Sequence, residues 1–257
     1  MTTLAEAIAA LEPLEGASWR GVIPDNWLQG RTAYGGFSTA LALHAAKASD
    51  TDLPPLRSAQ VAFIGPLSGE VMVTAHRLRR GRTAAFIQTD VESEAGLGLR
   101  ATFVFMAPLE SRLDHQAGSA PNFALPGTET RTYRGLPAVP FTQNFEYVDQ
   151  RGDARAAEWV RWTRLADRAA LDPEVELVAI ADALPPAALK LVGEHVPLSS
   201  MTWLLNVLAP PETRDGWWLL RAVSDYARGG ASSQDMAVWN ADRRPVASQM
   251  QSVALFA

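Results

Sequence analysis

The sequence predicts an α+β fold built from two tandem units, each with a buried helix followed by long antiparallel strands. Three observations carry this. Two apolar segments, residues 37–49 and 173–184, have the composition and spacing of helices that pack inside a domain. After each of them, apolar residues recur at every second position over four successive runs, the mark of strands. The turns recur as well: RRGRT at 79–83 is answered by YARGGAS at 226–232, and pairing Gly81 with Arg228 and Val104 with Gln251 gives one offset of 147 residues. The helices pair at an offset of 137 and the first long strands at 142, a drift that slightly longer surface loops absorb.

The chain opens with MTTLAEAIAALEPLE, which reads as a short acidic amphipathic helix without the basic and apolar regions of a signal peptide. Residues 18–23 read as a strand and 24–32 as a loop. Tyr34-Gly35-Gly36 then leads into the first apolar helix, and the glycine pair permits a tight entry and the close approach of another segment or a ligand. Strands over 56–64, 71–80, 83–93 and 97–106 are separated by GPLSGE, RRGR and SEAG, turn-like stretches that produce antiparallel hairpins. Residues 107–140 are rich in proline and glycine with little periodicity, and read as an extended linker or wrapping segment. The second unit has strands at 145–148 and 157–163, its helix, then strands at 198–208, 217–227, 232–240 and 246–256. The chain thus divides into a unit over residues 1–108, a linker over 109–143 and a unit over 144–257, with the two sheets expected to pair edge to edge over their helices.

Composition narrows the function. With 47% hydrophobic and 20% charged residues the chain is of ordinary globular make-up. A net charge of −5 and no basic run beyond RLRRGR argue against a nucleic-acid surface, and no apolar run is long enough to span a membrane. The chain has no cysteine, hence no disulfide framework and no thiolate chemistry, and a cytoplasmic protein is expected. His44, His76, His115 and His195 are scattered without ligand spacing, so neither a metal nor another cofactor is expected.

One carboxylate stands out. In Asp172–Pro186, Asp172 suits the N-cap, Pro173 the first helical position, and Glu174 and Glu176 the positive end of the helix dipole. Val175, Val178, Ala179 and then Asp182 share one face of that helix. A lone carboxylate on a buried stripe needs hydrogen-bond partners or a task, unless it merely reaches water at a fraying helix end. Pairing the halves sharpens the point, because Asp182 falls opposite Ala45 and Gln251 opposite Val104, so that the second unit carries polar groups where the first keeps packing residues.

Several short motifs, taken in order, resemble the acyl-CoA thioesterase II family, whose chains are double hotdogs. Tyr34-Gly35-Gly36 matches its aromatic-Gly-Gly at the first helix, and Arg80-Gly81-Arg82-Thr83 its basic hairpin. Asp182 matches the aspartate ending its second helix, Trp203-Leu204 a later strand, and Val246-Ala247-Ser248-Gln249-Met250-Gln251 its last strand. The resemblance runs from about Trp19 to the C-terminus, linker excepted. It implies a double hotdog fold, hydrolysis of acyl-CoA and a homo-oligomer. By the same resemblance Asp182 and Gln251 orient the attacking water together with a strand hydroxyl. Pro197 stands where the family hydroxyl belongs; Ser199, two residues on and on the same strand face, takes its place, with Ser200 the alternative if the strand is shifted.

The chemistry fits these residue types. Asp182 can take the water's proton if burial raises its pKa toward neutrality, and the Gln251 amide both donates and accepts. Backbone N–H groups at Tyr34-Gly35-Gly36, beside a helix N-terminus, can meet the substrate and its oxyanion. There is no Gly-x-Ser-x-Gly elbow and no acyl-enzyme is implied. The competing readings are a non-catalytic acyl-CoA-binding protein on the same scaffold, which the departure at Pro197 favours, and a hydratase or dehydratase, for which no helix-borne His–carboxylate pair is found. Arg79, Arg80 and Arg82 read as a solvated hairpin tip, and Trp203, Trp217, Trp218 and Trp239 as sheet packing or the walls of an acyl tunnel.

Overall fold

A computed structural model describes residues 1–150, 155–193 and 196–256, so His195 lies outside the described residues. Helix α1 (Leu4–Ala9) begins in a capping box made by Thr3 and Glu6 and ends well short of the sequence expectation, as the chain turns into β1 (Glu12–Leu14). Strand β2 (Ser18–Ile23) and the short pair β3 (Leu28–Gln29) and β4 (Thr32–Ala33) lead to helix α2 (Gly35–Ala48), which is buried along nearly its whole length. The four expected strands follow as β5 (Leu56–Phe63), β6 (Gly69–Arg80), β7 (Ala84–Ser93) and β8 (Gly96–Met106). The second half contains β9 (Phe145–Asp149), β10 (Glu158–Leu165), helix α3 (Pro173–Ala181), the single turn α4 (Leu189–Val192), and β11 (Leu198–Val207), β12 (Trp218–Arg228), β13 (Ala231–Trp239) and β14 (Pro245–Leu255).

The two halves form one 12-stranded sheet in the order β1-β2-β6-β7-β8-β5-β11-β14-β13-β12-β10-β9. From the central β5–β11 seam outward the order is the same on both sides, so the halves are related as by a two-fold axis, and the edge-to-edge pairing is antiparallel. Helices α2 and α3 lie against each other beneath the sheet. This is the double hotdog expected from the sequence.

The duplication extends to irregularities. An extra residue interrupts the ladder at Arg57 and Met201, at Leu78 and Asp225, and at Gly98 and Val246, three bulges repeated at equivalent places. A bulge reverses the in–out alternation of a strand, so its position dictates which side chains enter the core. Counting from these bulges, Ile87, Ala101 and Phe103 of the first half correspond to Gln234, Gln249 and Gln251 of the second. The sequence pairing of Gln251 with Val104 is therefore one residue out. The β13–β14 connection is one residue longer than its counterpart, and it is the inward-facing Phe103, fully buried, that Gln251 replaces.

Helix α3 also ends earlier than expected, at Ala181 rather than at 184. The cause lies four residues downstream: the ring of Pro185 collides with the carbonyl of residue 181 in a continued helix, and Pro185 has no N–H to give it. Residues 107–139 form no strand or helix, yet they are anchored. Ala120, Phe123 and Leu125 pack on Val160, Trp162, Trp217, Leu219 and Trp239, covering the outer face of the second half's sheet. Trp217 and Trp239 are thereby packing residues under this segment.

Candidate active site

Asp182 is the C-cap of α3 and is half-buried. Its side chain does not fray into water. Its Oδ1 accepts a hydrogen bond from Gln251 Nε2 at 2.9 Å, and its Oδ2 lies against Gly35 at the start of α2. The carboxylate thus sits on the N-terminus of α2, where the helix dipole favours a negative charge.

The two glycines make this approach possible for different reasons. A Cβ on Gly35 would fall 2.7 Å from Asp182 Oδ2 and 3.0 Å from the Phe63 ring, whereas one on Gly36 would fall 2.6 Å from the Tyr34 hydroxyl oxygen. Gly35 admits the carboxylate and Gly36 admits the folded-back phenol. Tyr34 itself is only 1% exposed; its hydroxyl donates to Ala179 O at 2.8 Å and its ring stacks on Phe141. The structure therefore uses Tyr34 to hold α3 against the start of α2, and leaves its polar atom spent.

Gln251 is 2% exposed, on the inward face of β14. Its Oε1 accepts from Gln234 Nε2 at 2.6 Å, and Gln234 Oε1 accepts from the Ala187 N–H at 2.9 Å. Gln234 was not singled out in the sequence. The signal was there, in the form that betrayed Asp182: a polar residue on the inward face of a strand, in register with Met236 and Val238. Gln249 is the third buried glutamine on this face. Its Oε1 accepts from Trp203 Nε1 at 2.8 Å and its Nε2 has no partner.

Ser199 does not join this group. It is exposed, and its Oγ donates to its neighbour Ser200 O at 3.3 Å. The sequence placed Ser199 on the strand face of residue 197 by simple alternation, but the bulge at Met201 reverses the alternation between it and the inward Trp203 and turns Ser199 outward. The same bulge puts Ser200 on the inner side, beside Val253, where it is partly buried. No hydroxyl hydrogen-bonds Asp182 or Gln251 among the described residues.

Burial raises the Asp182 pKa from 3.8 to about 7, against the opposing pull of the Gln251 amide and the Gly36 backbone. The group is thus poised to exchange a proton near neutrality. Among the described residues, no three His, Asp or Glu side chains gather as metal ligands, and no helix is long and apolar enough to cross a membrane.

Comparison with known proteins decides the family. Residues 23–106 match the family model described as the acyl-CoA thioesterase N-terminal domain, and residues 114–255 match that of the acyl-CoA thioesterase C-terminal domain. The chain belongs to the acyl-CoA thioesterase family. Similar solved structures include a hot dog fold protein of unknown function from Alicyclobacillus acidocaldarius, at 22% identity and a TM-score of 0.88 over 100% of this chain and 99% of that one. They also include an acyl-CoA thioesterase II from Mycobacterium marinum, at 17% identity and a TM-score of 0.77 over 97% of both chains. At these identities the likeness is one of fold. A search of curated proteins finds no match.

Within this thioesterase chain, the polar constellation occurs once. The first half keeps Ile87, Ala101 and Phe103 where the second has Gln234, Gln249 and Gln251. Asp182, held by an amide donor and a helix N-terminus, has the features of a general base; the Gln251 amide beside it can hold a water.

Proposed function

We propose that the protein hydrolyses acyl-CoA to the free acid and CoA by direct attack of water activated at Asp182. The observation that carries this reading is the 2.9 Å hydrogen bond between Gln251 and an Asp182 whose pKa burial raises to about 7. Water adds its oxygen to the thioester carbonyl as its proton passes to Asp182. The tetrahedral intermediate then breaks its C–S bond, and the proton on Asp182 goes to the departing sulfur. Gln251 holds the water, and the N-terminus of α2 supplies the favourable field for the oxyanion. As a hydrolase of this kind it works without a cofactor, in the cytoplasm, as a homo-oligomer.

Thiol release from acetyl-, octanoyl- and palmitoyl-CoA tests the reading, with Asp182→Asn as control. Release from one or more substrates that the variant loses is expected; no release from any of them refutes it. A second reading has one observation in its favour, the outward turn of Ser199, which leaves the water without a hydroxyl ligand. A non-catalytic acyl-CoA-binding protein would bind the same ligands saturably and gain thermal stability without turnover.

A further inference from the structure

We infer that Gln234 is a positioning residue of this site: it fixes the Gln251 amide with its N–H on Asp182 and clamps the turn that follows Asp182. The inference rests on the reading of Asp182 and Gln251 as the hydrolytic pair. The end of a glutamine side chain rotates about a two-fold torsion, so Gln251 can present either its N–H or its oxygen to Asp182 at similar steric cost. Only the first suits an ionised carboxylate, because a carboxylate accepts and cannot donate. Some other contact must make the choice.

The hydrogen-bond chain makes it, and it is anchored at a group that cannot turn round. The Ala187 backbone N–H can only donate, and it donates to Gln234 at 2.9 Å. That commits the Gln234 oxygen and leaves its NH2 to face Gln251 Oε1, at 2.6 Å. Gln251 must then direct its own NH2 at Asp182, at 2.9 Å. Every link has a single allowed direction once the first is set. Asp182 and Ala187 both lie in the connection between α3 and α4, so the bonds close a ring from the carboxylate through β14 and β13 back to its own segment. Gln234 is 1% exposed, and its counterpart in the first half is the apolar Ile87. A buried glutamine in a place where an aliphatic residue fits the same strand needs such a purpose.

The groups that face Asp182 are few. The start of α2 contributes the Gly36 N–H and the phenol of Tyr34, which burial keeps neutral far above this range; β14 contributes Gln251. No cation or second carboxylate among the described residues shifts Asp182, so the orientation of one amide has a measurable effect on its titration.

The test is a 13C NMR titration of the Asp182 carboxyl carbon, assigned by its loss in Asp182→Asn. Wild type, Gln234→Met, Gln251→Ala and the double variant are compared, with thermal melts as a check on folding. In Gln234→Met the amide of Gln251 is free to turn its oxygen to Asp182, and the midpoint should rise by about one unit, tenfold in the ionisation constant. The shift should vanish in the Gln251→Ala background, where no amide is left to orient. In parallel, kcat should fall about tenfold with KM unchanged, the mark of a lost transition-state contact. An unmoved midpoint in Gln234→Met, or an equal shift with and without Gln251, overturns the inference. If Gln234→Met does not fold, Gln234→Leu carries the same comparison. The titration needs no turnover, so a wild type without thioesterase activity would refute the proposed function while this measurement still decided the role of Gln234.

Discussion

Asp182 combines two opposing demands. As the base proposed above it must lose a proton, yet it sits where charge is poorly solvated. The balance sets a pH dependence: kcat/KM should rise with pH through an apparent pKa near 7, since only the ionised form accepts the water's proton. Asp182→Asn should lower kcat by roughly 10²–10⁴-fold. Its effect on stability has a definite sign. In the folded chain Asp182 keeps its proton to about pH 7, whereas the unperturbed group ionises near 3.8. The stability it contributes is therefore full below the lower value and is lost as pH rises through the upper one. Melting curves at pH 4 and pH 8 should show Asp182→Asn gaining on the wild type at the higher pH. Gly35→Ala is the steric counterpart: a methyl group 2.7 Å from Oδ2 must displace the carboxylate, and thioester turnover should fall sharply.

At the scale of elements, small irregularities place the site. Pro185 stops α3 four residues upstream of itself, which makes Asp182 a cap free to lean toward α2 and β14. One extra residue at Met201 decides that Ser199 faces outward. Tyr34 joins the two helices through a single hydrogen bond to Ala179. Removing it leaves a buried carbonyl without a partner, so Tyr34→Phe should cost about 1–3 kcal/mol in chemical denaturation. Because the hydroxyl is spent on backbone, KM for acyl-CoA should stay within about twofold; a large rise in KM would return Tyr34 to the substrate. That twofold is small beside the tenfold that corresponds to about 1.4 kcal/mol.

At the scale of the molecule, the seam between β5 and β11 makes the halves one sheet, and α2 and α3 carry a second link across it. Lys47 Nζ lies 2.7 Å from both Asp172 and Glu174, and Glu174 also accepts from the Leu56 N–H at 2.7 Å. Glu174→Ala should destabilise more than Glu174→Gln, which keeps an acceptor for Leu56; equal losses would show that only the charge matters. Since the buried glutamines Gln234, Gln249 and Gln251 all belong to the second half, a non-hydrolysable acyl-CoA analogue should titrate in calorimetry to one site per chain, and two would contradict the apolar counterparts in the first half. Much of this was legible in advance. Alternation located the ten long strands to within two residues, and a carboxylate on an apolar stripe pointed to Asp182. The partners of Gln234 and the outward turn of Ser199 were not legible, because neither is a property of its own segment. The elements, their buried faces and the polar intrusions upon them follow from short-range periodicity and the cost of burying charge, and so can be read along the chain. Which intrusions meet depends on ladder register, bulges and a one-residue difference in a turn, all set by contacts between strands far apart in the chain.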